Sequence, residues 1–332
     1  MHVPADRNGR PVLEVEGLTK HFPVPRGIIG ALRRDKRYVI RAVDGVSFEL
    51  GRGEVLALVG ESGCGKTTTA LSVLGLVEPS AGSVRFEGRP LHETLRRDRS
   101  LRRAIQMVFQ DPYESLNPRM TVGEIVAEPL VVHRLAEGAA RTERVLAALE
   151  EVGLRPAEEF VGRRPHELSG GQRQRVVIAA ALVCEPRLLV ADEPVSMLDV
   201  SIRAEILLLL NELRRRRGIS ILFITHDLAT AALFADRIAV MYLGRIVEIG
   251  SADAVLSAPQ HPYTRALVSV IPRLDPELRQ ERLILQGETP NPIAIPPGCR
   301  FHPRCPLAVE ACRHTDPQLE RKRDQLAACI RV

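Results

Sequence analysis

The sequence predicts an α/β fold with a parallel-sheet core, and three observations carry that prediction. In EVLALVGESGCGKTTTALSVLGL, five apolar and partly β-branched residues, Val55 to Val59, lead into a glycine-rich turn and then a helically spaced stretch from Lys66 to Leu76. A second apolar run, Arg187 to Val190, leads into Ala191-Asp192-Glu193-Pro194, and a third, Ile221 to Thr225, ends at His226. The long stretch from Asp111 to Gly170 reads mostly helical. Short buried strands alternating with helices are the pattern of a parallel sheet covered by helices.

With 332 residues, 45% of them hydrophobic, the chain can build one large domain or two ordinary ones. The opening MHVPADRNGRPVLEVEG contains no apolar run of the signal-peptide kind, and no stretch reaches the ~18 apolar residues of a membrane span. The expectation is a cytoplasmic chain that does not cross a membrane alone. The net charge is +5 and the isoelectric point about 9.0. Basic clusters occur at Arg33, Arg34, Lys36, Arg37 and at Arg96, Arg97, Arg99, Arg102, Arg103. Because 41 acidic residues offset most of the 46 basic ones and no aromatic residues interleave with the clusters, they read as solvated faces. No nucleic-acid partner is expected.

The turn after the first strand is Gly60-Glu61-Ser62-Gly63-Cys64-Gly65-Lys66-Thr67, which fits G-x-x-x-x-G-K-[ST] at every position. In such a loop the glycines let successive N–H groups face phosphate oxygens. Lys66 reaches the β- and γ-phosphates, the start of the helix adds its positive end, and the Thr67 hydroxyl is left for Mg²⁺. Asp192, at the end of an apolar strand, suits the carboxylate that holds Mg²⁺ through water, and Glu193 suits a base for the attacking water. Idle charge at a buried strand end would be expensive.

Leu168-Ser169-Gly170-Gly171-Gln172 resembles the signature motif of ATP-binding cassette (ABC) ATPases, and other cassette elements fall in order around it. Gln110 in MVFQDP resembles the Q-loop glutamine, Ser196-Met197-Leu198-Asp199 the D-loop, and His226 in FITHDL the switch histidine. The resemblance covers roughly residues 11 to 260. It implies a P-loop NTPase with a mixed RecA-like core, an antiparallel β subdomain and an inserted helical subdomain near 111–170. It also implies ATP and Mg²⁺ as ligands. Gly60 to Thr68, Gln110, Asp192 and Asp199 would border the nucleotide, with Thr67, Gln110 and Asp192 around Mg²⁺. Glu193, His226 and Gln110 would be catalytic. The signature Ser169 to Gln172 would cover the ATP of a second cassette in a head-to-tail dimer. Either Phe22 or Tyr38, on the two sides of a basic insertion from Pro23 to Arg37, would stack on adenine. Thr67 in place of serine, Met197 in place of alanine and Ala180 in place of arginine are departures that remove no catalytic group.

The stretches 109–130, 164–175 and HPYTRAL (261–267), with the cysteine-containing tail, resemble ATPase subunits of oligopeptide and dipeptide importers and the related nickel importers. That resemblance implies a subunit at the cytoplasmic face of the inner membrane that energises peptide import. Its partners would be a paralogous second ATPase, two membrane permeases and, indirectly, an extracytoplasmic solute-binding protein. The alternatives are an importer of nickel or another solute, or a soluble cassette ATPase of the ribosome, DNA-repair or iron–sulfur assembly type. A single phosphate loop and the lack of a heptad insertion favour the importer.

Residues 261–332 form the expected C-terminal extension. It is Pro-rich, and Phe301 is its only aromatic after Tyr263. Ordering such a segment costs about 1–2 kcal/mol per residue with little apolar area to offset it, so something else must hold it. Four of the six cysteines lie here, Cys299, Cys305, Cys312 and Cys329, spaced C-x5-C-x6-C-x16-C. Cytoplasmic thiols are normally reduced, so metal ligation is preferred to disulfides, and a structural zinc would supply roughly 10–16 kcal/mol. The spacing fits neither zinc ribbons nor bacterial ferredoxins. Resemblance to the peptide-importer ATPases implies a structural [4Fe–4S] cluster, with Zn²⁺ or unligated thiols the alternatives. Cys64, inside the phosphate loop, and Cys184, on an expected buried helix, are set apart.

Overall fold

The computed structural model describes residues 10–24, 38–98, 100–271 and 282–332. The first nine residues, the basic insertion from 25 to 37 with Arg33, Arg34, Lys36 and Arg37, and Arg99 lie outside the described residues. The chain divides into two compact units. Among the described residues no helix is long and apolar enough to cross a membrane.

The first unit is built mainly from Phe86–Ile224. Its strands Ile105–Val108, Leu188–Asp192 and Ser220–Thr225 are parallel, with Ile105 opposite Leu188 and Leu188 opposite Ser220. Every residue of Leu188–Asp192 and of Ser220–Thr225 is buried, which explains why both read as unbroken apolar runs. The second strand runs to Asp192, two residues beyond the expected end, and so carries its carboxylate into the buried edge. Between the first two strands lie the helices Pro112–Ser115, Val122–Val132, Gly138–Glu151 and Ala157–Val161. The helix Val122–Val132 starts in a capping box, Glu124 N–H donating to the Thr121 hydroxyl at 3.2 Å and Thr121 N–H to the Glu124 carboxylate at 2.7 Å. Its buried Ile125, Val126 and Leu130 pack toward the helices Gly138–Glu151 and Gly170–Leu182. The last of these ends before Cys184, which sits in the following turn and is buried there, correcting the expected helical placement.

The second unit holds Leu13–Glu49, Leu56–Arg85 and Thr225–Val332. Leu13–Pro23 lies between Val39–Leu50 and Ala81–Phe86 in an antiparallel sheet. A second, mixed sheet has Val55–Val59 parallel to Arg237–Tyr242, followed by Arg245–Ser251 antiparallel to it. The C-terminal extension continues this same sheet. Gln325–Ala327 pairs antiparallel with Arg245–Ser251, and Glu320–Lys322 pairs with Gln325–Ala327.

Among the interactions that hold the tail, three answer what its composition left unexplained. The first is this strand addition. The second is an aromatic cluster in which Phe301 lies 5.3 Å from Tyr242 and 5.5 Å from Tyr263, all three buried. Burying each ring is worth about 1.5–3 kcal/mol. The third is Arg300, which donates to the Leu243 carbonyl and pairs with Asp44.

Candidate functional site

The phosphate-loop residues lie in the second unit. All five residues of Val55–Val59 are buried, and the helix Lys66–Val73 begins directly after the loop. Gly65 caps it with φ 107°, a conformation that favours glycine, and an added Cβ there would lie 2.1 Å from the Ala42 carbonyl oxygen. At Gly60 a Cβ would lie 2.2 Å from the Met241 carbonyl oxygen. The loop is thus confined by backbone on two sides. The helix has no side-chain cap and no acidic residue in its first turn, so no carboxylate of that turn offsets its positive end. Lys66, only 5% exposed, donates to the carbonyls of Gly60 at 2.7 Å and Glu61 at 3.0 Å. A buried ammonium held only by dipoles is a ready partner for an anion. Ser62, Gly63 and Thr67 are exposed, whereas Cys64 is buried and its thiol is pushed up by burial.

Phe22 lies near the end of the strand Leu13–Pro23 and Tyr38 directly before the strand Val39–Leu50, with Val24 N–H donating to the Tyr38 carbonyl at 3.0 Å, and both side chains are exposed. His226 is exposed on the turn after Ser220–Thr225. Asp227 next to it accepts from Ala229 N–H at 2.9 Å and so starts the following helix.

The first unit carries the other motif residues. Asp192, 4% exposed, ends its strand, and Glu193 follows with φ 46°. A left-handed glutamate is an uncommon backbone state for a side chain to adopt, and such states cluster at functional sites. The turn is fixed by Glu193 N–H donating to the Ile224 carbonyl at 2.9 Å and by the Ser196 hydroxyl donating to the Glu193 carbonyl at 3.0 Å. Across it, Gln110 Nε2 donates to Glu193 Oε2 at 3.2 Å, so two residues 83 positions apart in sequence meet. Ser169 caps the helix Gly170–Leu182 in a reciprocal pair with Gln172, at 3.3 Å and 3.0 Å. A Cβ on Gly171 would lie 2.7 Å from Ile202, which places the signature against the helix Val200–Arg217 that Asp199 begins.

The structure brings the four tail cysteines together around one small cavity, also lined by His261 and Phe301. All six cysteines are free thiols. Cys299 N–H donates to the Cys312 carbonyl at 2.9 Å, which closes the module. Burial, with a smaller contribution from the neighbouring cysteines, pushes the Cys299 thiol up to about 11 and the Cys305 thiol in the same direction. Among the described residues no group of three or more His, Cys, Asp or Glu side chains is disposed to hold a metal ion.

Two features were missed by the motifs. One is the environment of Glu61, whose carboxylate pairs with Arg304 and whose N–H donates to the Tyr263 hydroxyl at 3.1 Å. HPYTRAL marks Tyr263 as distinctive, but nothing in the sequence ties it to the loop. The other is a groove of about 620 Å³ on the helical segment, lined by Ala127, Val131, Val132, Arg141, Val145 and neighbours, with Val131 51% and Val132 69% exposed.

Comparison with known proteins gives these features a context. The ABC transporter family profile matches residues 43–196, and the profile of the oligopeptide/dipeptide transporter C-terminal region matches residues 247–312. The dipeptide transport ATP-binding protein DppF of Haemophilus influenzae is 47% identical over 328 residues, covering 98% of each chain. A putative peptide import ATP-binding protein of Brucella ovis is 49% identical over 97% of this chain and 98% of its own. DppF of Escherichia coli is 45% identical, covering 97% and 95%. Among solved structures, cbiO1 from Clostridium perfringens, part of an ABC transporter complex, is similar with TM-score 0.63 and 31% identity over 75% of this chain and 91% of that one. The ATP-binding cassette MJ0796, solved as a dimer in a post-hydrolysis state bound to ADP and Pi, has TM-score 0.62 and 29% identity, covering 72% and 98%. Likeness of this degree over nearly the whole length shows that the chain belongs to the ABC transporter ATP-binding proteins that carry the oligopeptide/dipeptide transporter C-terminal region.

Proposed function

We propose that this chain is the ATP-hydrolysing subunit that drives import of di- and oligopeptides through separate membrane subunits. The observation that carries the reading is end-to-end similarity to peptide-import ATP-binding proteins, tail included. Residues 11–260 are the ATPase domain and 261–332 its extension. Lys66, Thr67 and Thr68 hold the phosphates, and Phe22 or Tyr38 stacks on the adenine. Thr67, Gln110 and Asp192 hold Mg²⁺, whose bound charge offsets that of the phosphates. Glu193 is the general base, with Gln110 as its hydrogen-bond donor, and His226 positions the water. Asp199 borders the nucleotide, and Ser169 to Gln172 cover the nucleotide of a paralogous cassette in a head-to-tail dimer.

The groove around Val131 and Val132 receives a cytoplasmic helix of a permease, at the inner face of the membrane. Exposed valines on a concave helical surface support that assignment. Cys299, Cys305, Cys312 and Cys329 hold a [4Fe–4S] cluster, which the gathering of the four thiols around one cavity supports, with zinc the alternative. The cluster crosslinks the tail. The test is purification of the intact membrane complex, followed by ATP hydrolysis with candidate cargo supplied by the complex's binding protein. Stimulation by peptides supports the reading, whereas stimulation by nickel alone, or a homodimer with no membrane partner, overturns it.

A further inference from the structure

Glu61 is a variable position in the phosphate-loop spacing, and no part of the hydrolysis chemistry calls on its side chain. The structure nevertheless ties it down at both ends. Its carboxylate meets Arg304 in a fork, Nη1 to Oε2 at 2.9 Å and Nη2 to Oε1 at 3.2 Å, and the Arg304 side chain is 9% exposed. The Thr289 hydroxyl donates to the same Oε2, and Arg304 Nη1 also donates to Thr289 Oγ1 at 3.2 Å. The Glu61 N–H is taken by Tyr263, whose ring packs 4.8 Å from Tyr242 and 5.5 Å from Phe301. Every one of these partners belongs to residues 261–304.

The position of Glu61 matters because its carbonyl, with that of Gly60, is what Lys66 Nζ rests on. Fixing the side chain and the N–H of Glu61 therefore fixes the peptide group against which the phosphate-binding ammonium is aligned. A forked arginine pair with little exposure gives small net stability after desolvation but strong directional constraint. Here the constraint falls on the loop.

We propose that Arg304 is a positioning residue for nucleotide binding: acting through Glu61, it lets the C-terminal extension set the shape of the phosphate loop and hence the affinity for ATP. The inference rests on Gly60–Thr67 being the phosphate loop. It adds that the loop depends on a segment more than two hundred residues away, since Glu61 and Arg304 are 243 positions apart.

The test is the dissociation constant for ATP of the purified full chain, with KM and kcat for ATP in the reconstituted complex. Arg304→Ala is expected to weaken binding by about tenfold and to raise KM more than it lowers kcat. Arg304→Lys, which keeps the charge but not the fork, is expected to recover part of the loss. The double variant Glu61→Ala/Arg304→Ala should bind no worse than the weaker single variant. Wild-type affinity for Arg304→Ala, or additive losses in the double variant, would overturn the proposal. If Arg304→Ala does not fold, Glu61→Gln, which keeps the volume and removes the charge, gives the same decision, and an unchanged affinity again overturns it. Lys66→Ala separates the two levels. If it binds ATP as well as the wild type, the phosphate-loop assignment fails, whereas a defective Lys66→Ala beside an unaffected Arg304→Ala sinks this inference alone.

Discussion

Replacing Glu193 by glutamine separates binding from hydrolysis at this site. The side chain is held at the turn after a buried strand, and one of its oxygens accepts from Gln110 at 3.2 Å. Glutamine keeps an oxygen that can accept the same bond and nearly the same volume, so the turn and the neighbouring Asp192 should be undisturbed. What disappears is the proton acceptor. Removing a general base costs about 10²- to 10⁴-fold in rate, which at 1.36 kcal/mol per decade is about 3–5 kcal/mol of barrier. ATP binding should stay within about threefold, because a carboxylate near polyphosphate repels it and its loss does not weaken attraction. Phosphate release in the reconstituted complex measures the first quantity, and equilibrium ATP binding the second. Near-normal turnover by Glu193→Gln would refute the assignment of the base. A loss of binding equal to the loss of turnover would refute the claim that the turn tolerates the change.

Three further outcomes follow from the same geometry. Cys305→Ser should strip iron from anaerobically purified protein and abolish absorbance near about 400 nm; wild-type protein without iron removes the cluster proposal. Val132→Asp, on the rim of the helical groove, should cut recovery of the membrane subunits in a pull-down by about tenfold or more while ATP binding by the free chain is retained, and full recovery counts against the groove as the docking site. Asp44 is drawn two ways: burial raises its carboxyl, but hydrogen bonding and charge from Arg300, with help from His21 and Arg245, hold it below the ordinary value of 3.8. A lowered carboxylate stabilises the fold above its unfolded pKa, and that contribution is lost as pH falls through the folded value. Asp44→Asn should therefore cost about 3 kcal/mol in denaturant unfolding at pH 7, since it leaves Arg300 buried and unpaired, and the gap from wild type should close only below about pH 4. A gap that does not change with acid would contradict the pairing.

Much of the fold was legible because the parallel strands are buried on both faces. Leu188–Asp192 and Ser220–Thr225 carry no exposed residue, so each appears as an uninterrupted apolar run. The helix starts at Thr121 and Ser169 rest on local signals, each capping pair lying within four residues, although only the helical character of 111–170 was read. The strands Glu320–Lys322 and Gln325–Ala327 were not. Each is three residues long, and their pairing is decided by an edge formed at Arg245–Ser251 rather than by their own propensity. In the candidate site, the residues proposed to hold phosphate sit at fixed spacing and could be named from the sequence. Gln110 and Glu193 were named separately, and their meeting is a result of strand order. The partners of Glu61 could not be named, because Thr289 and Arg304 are 228 and 243 positions away and belong to no local pattern.

The strand addition by the tail also bears on how the chain is made. Strand Arg245–Ser251 gains its outer neighbour only when Gln325–Ala327 has been synthesised. At about 5–20 residues per second, the intervening stretch takes roughly 4–15 s to translate. Throughout that interval an apolar strand with Ile246, Val247 and Ile249 offers an open edge, the geometry from which intermolecular β-pairing starts. Production of this protein is therefore most vulnerable to aggregation late in synthesis, and truncation before residue 320 would make that exposure permanent.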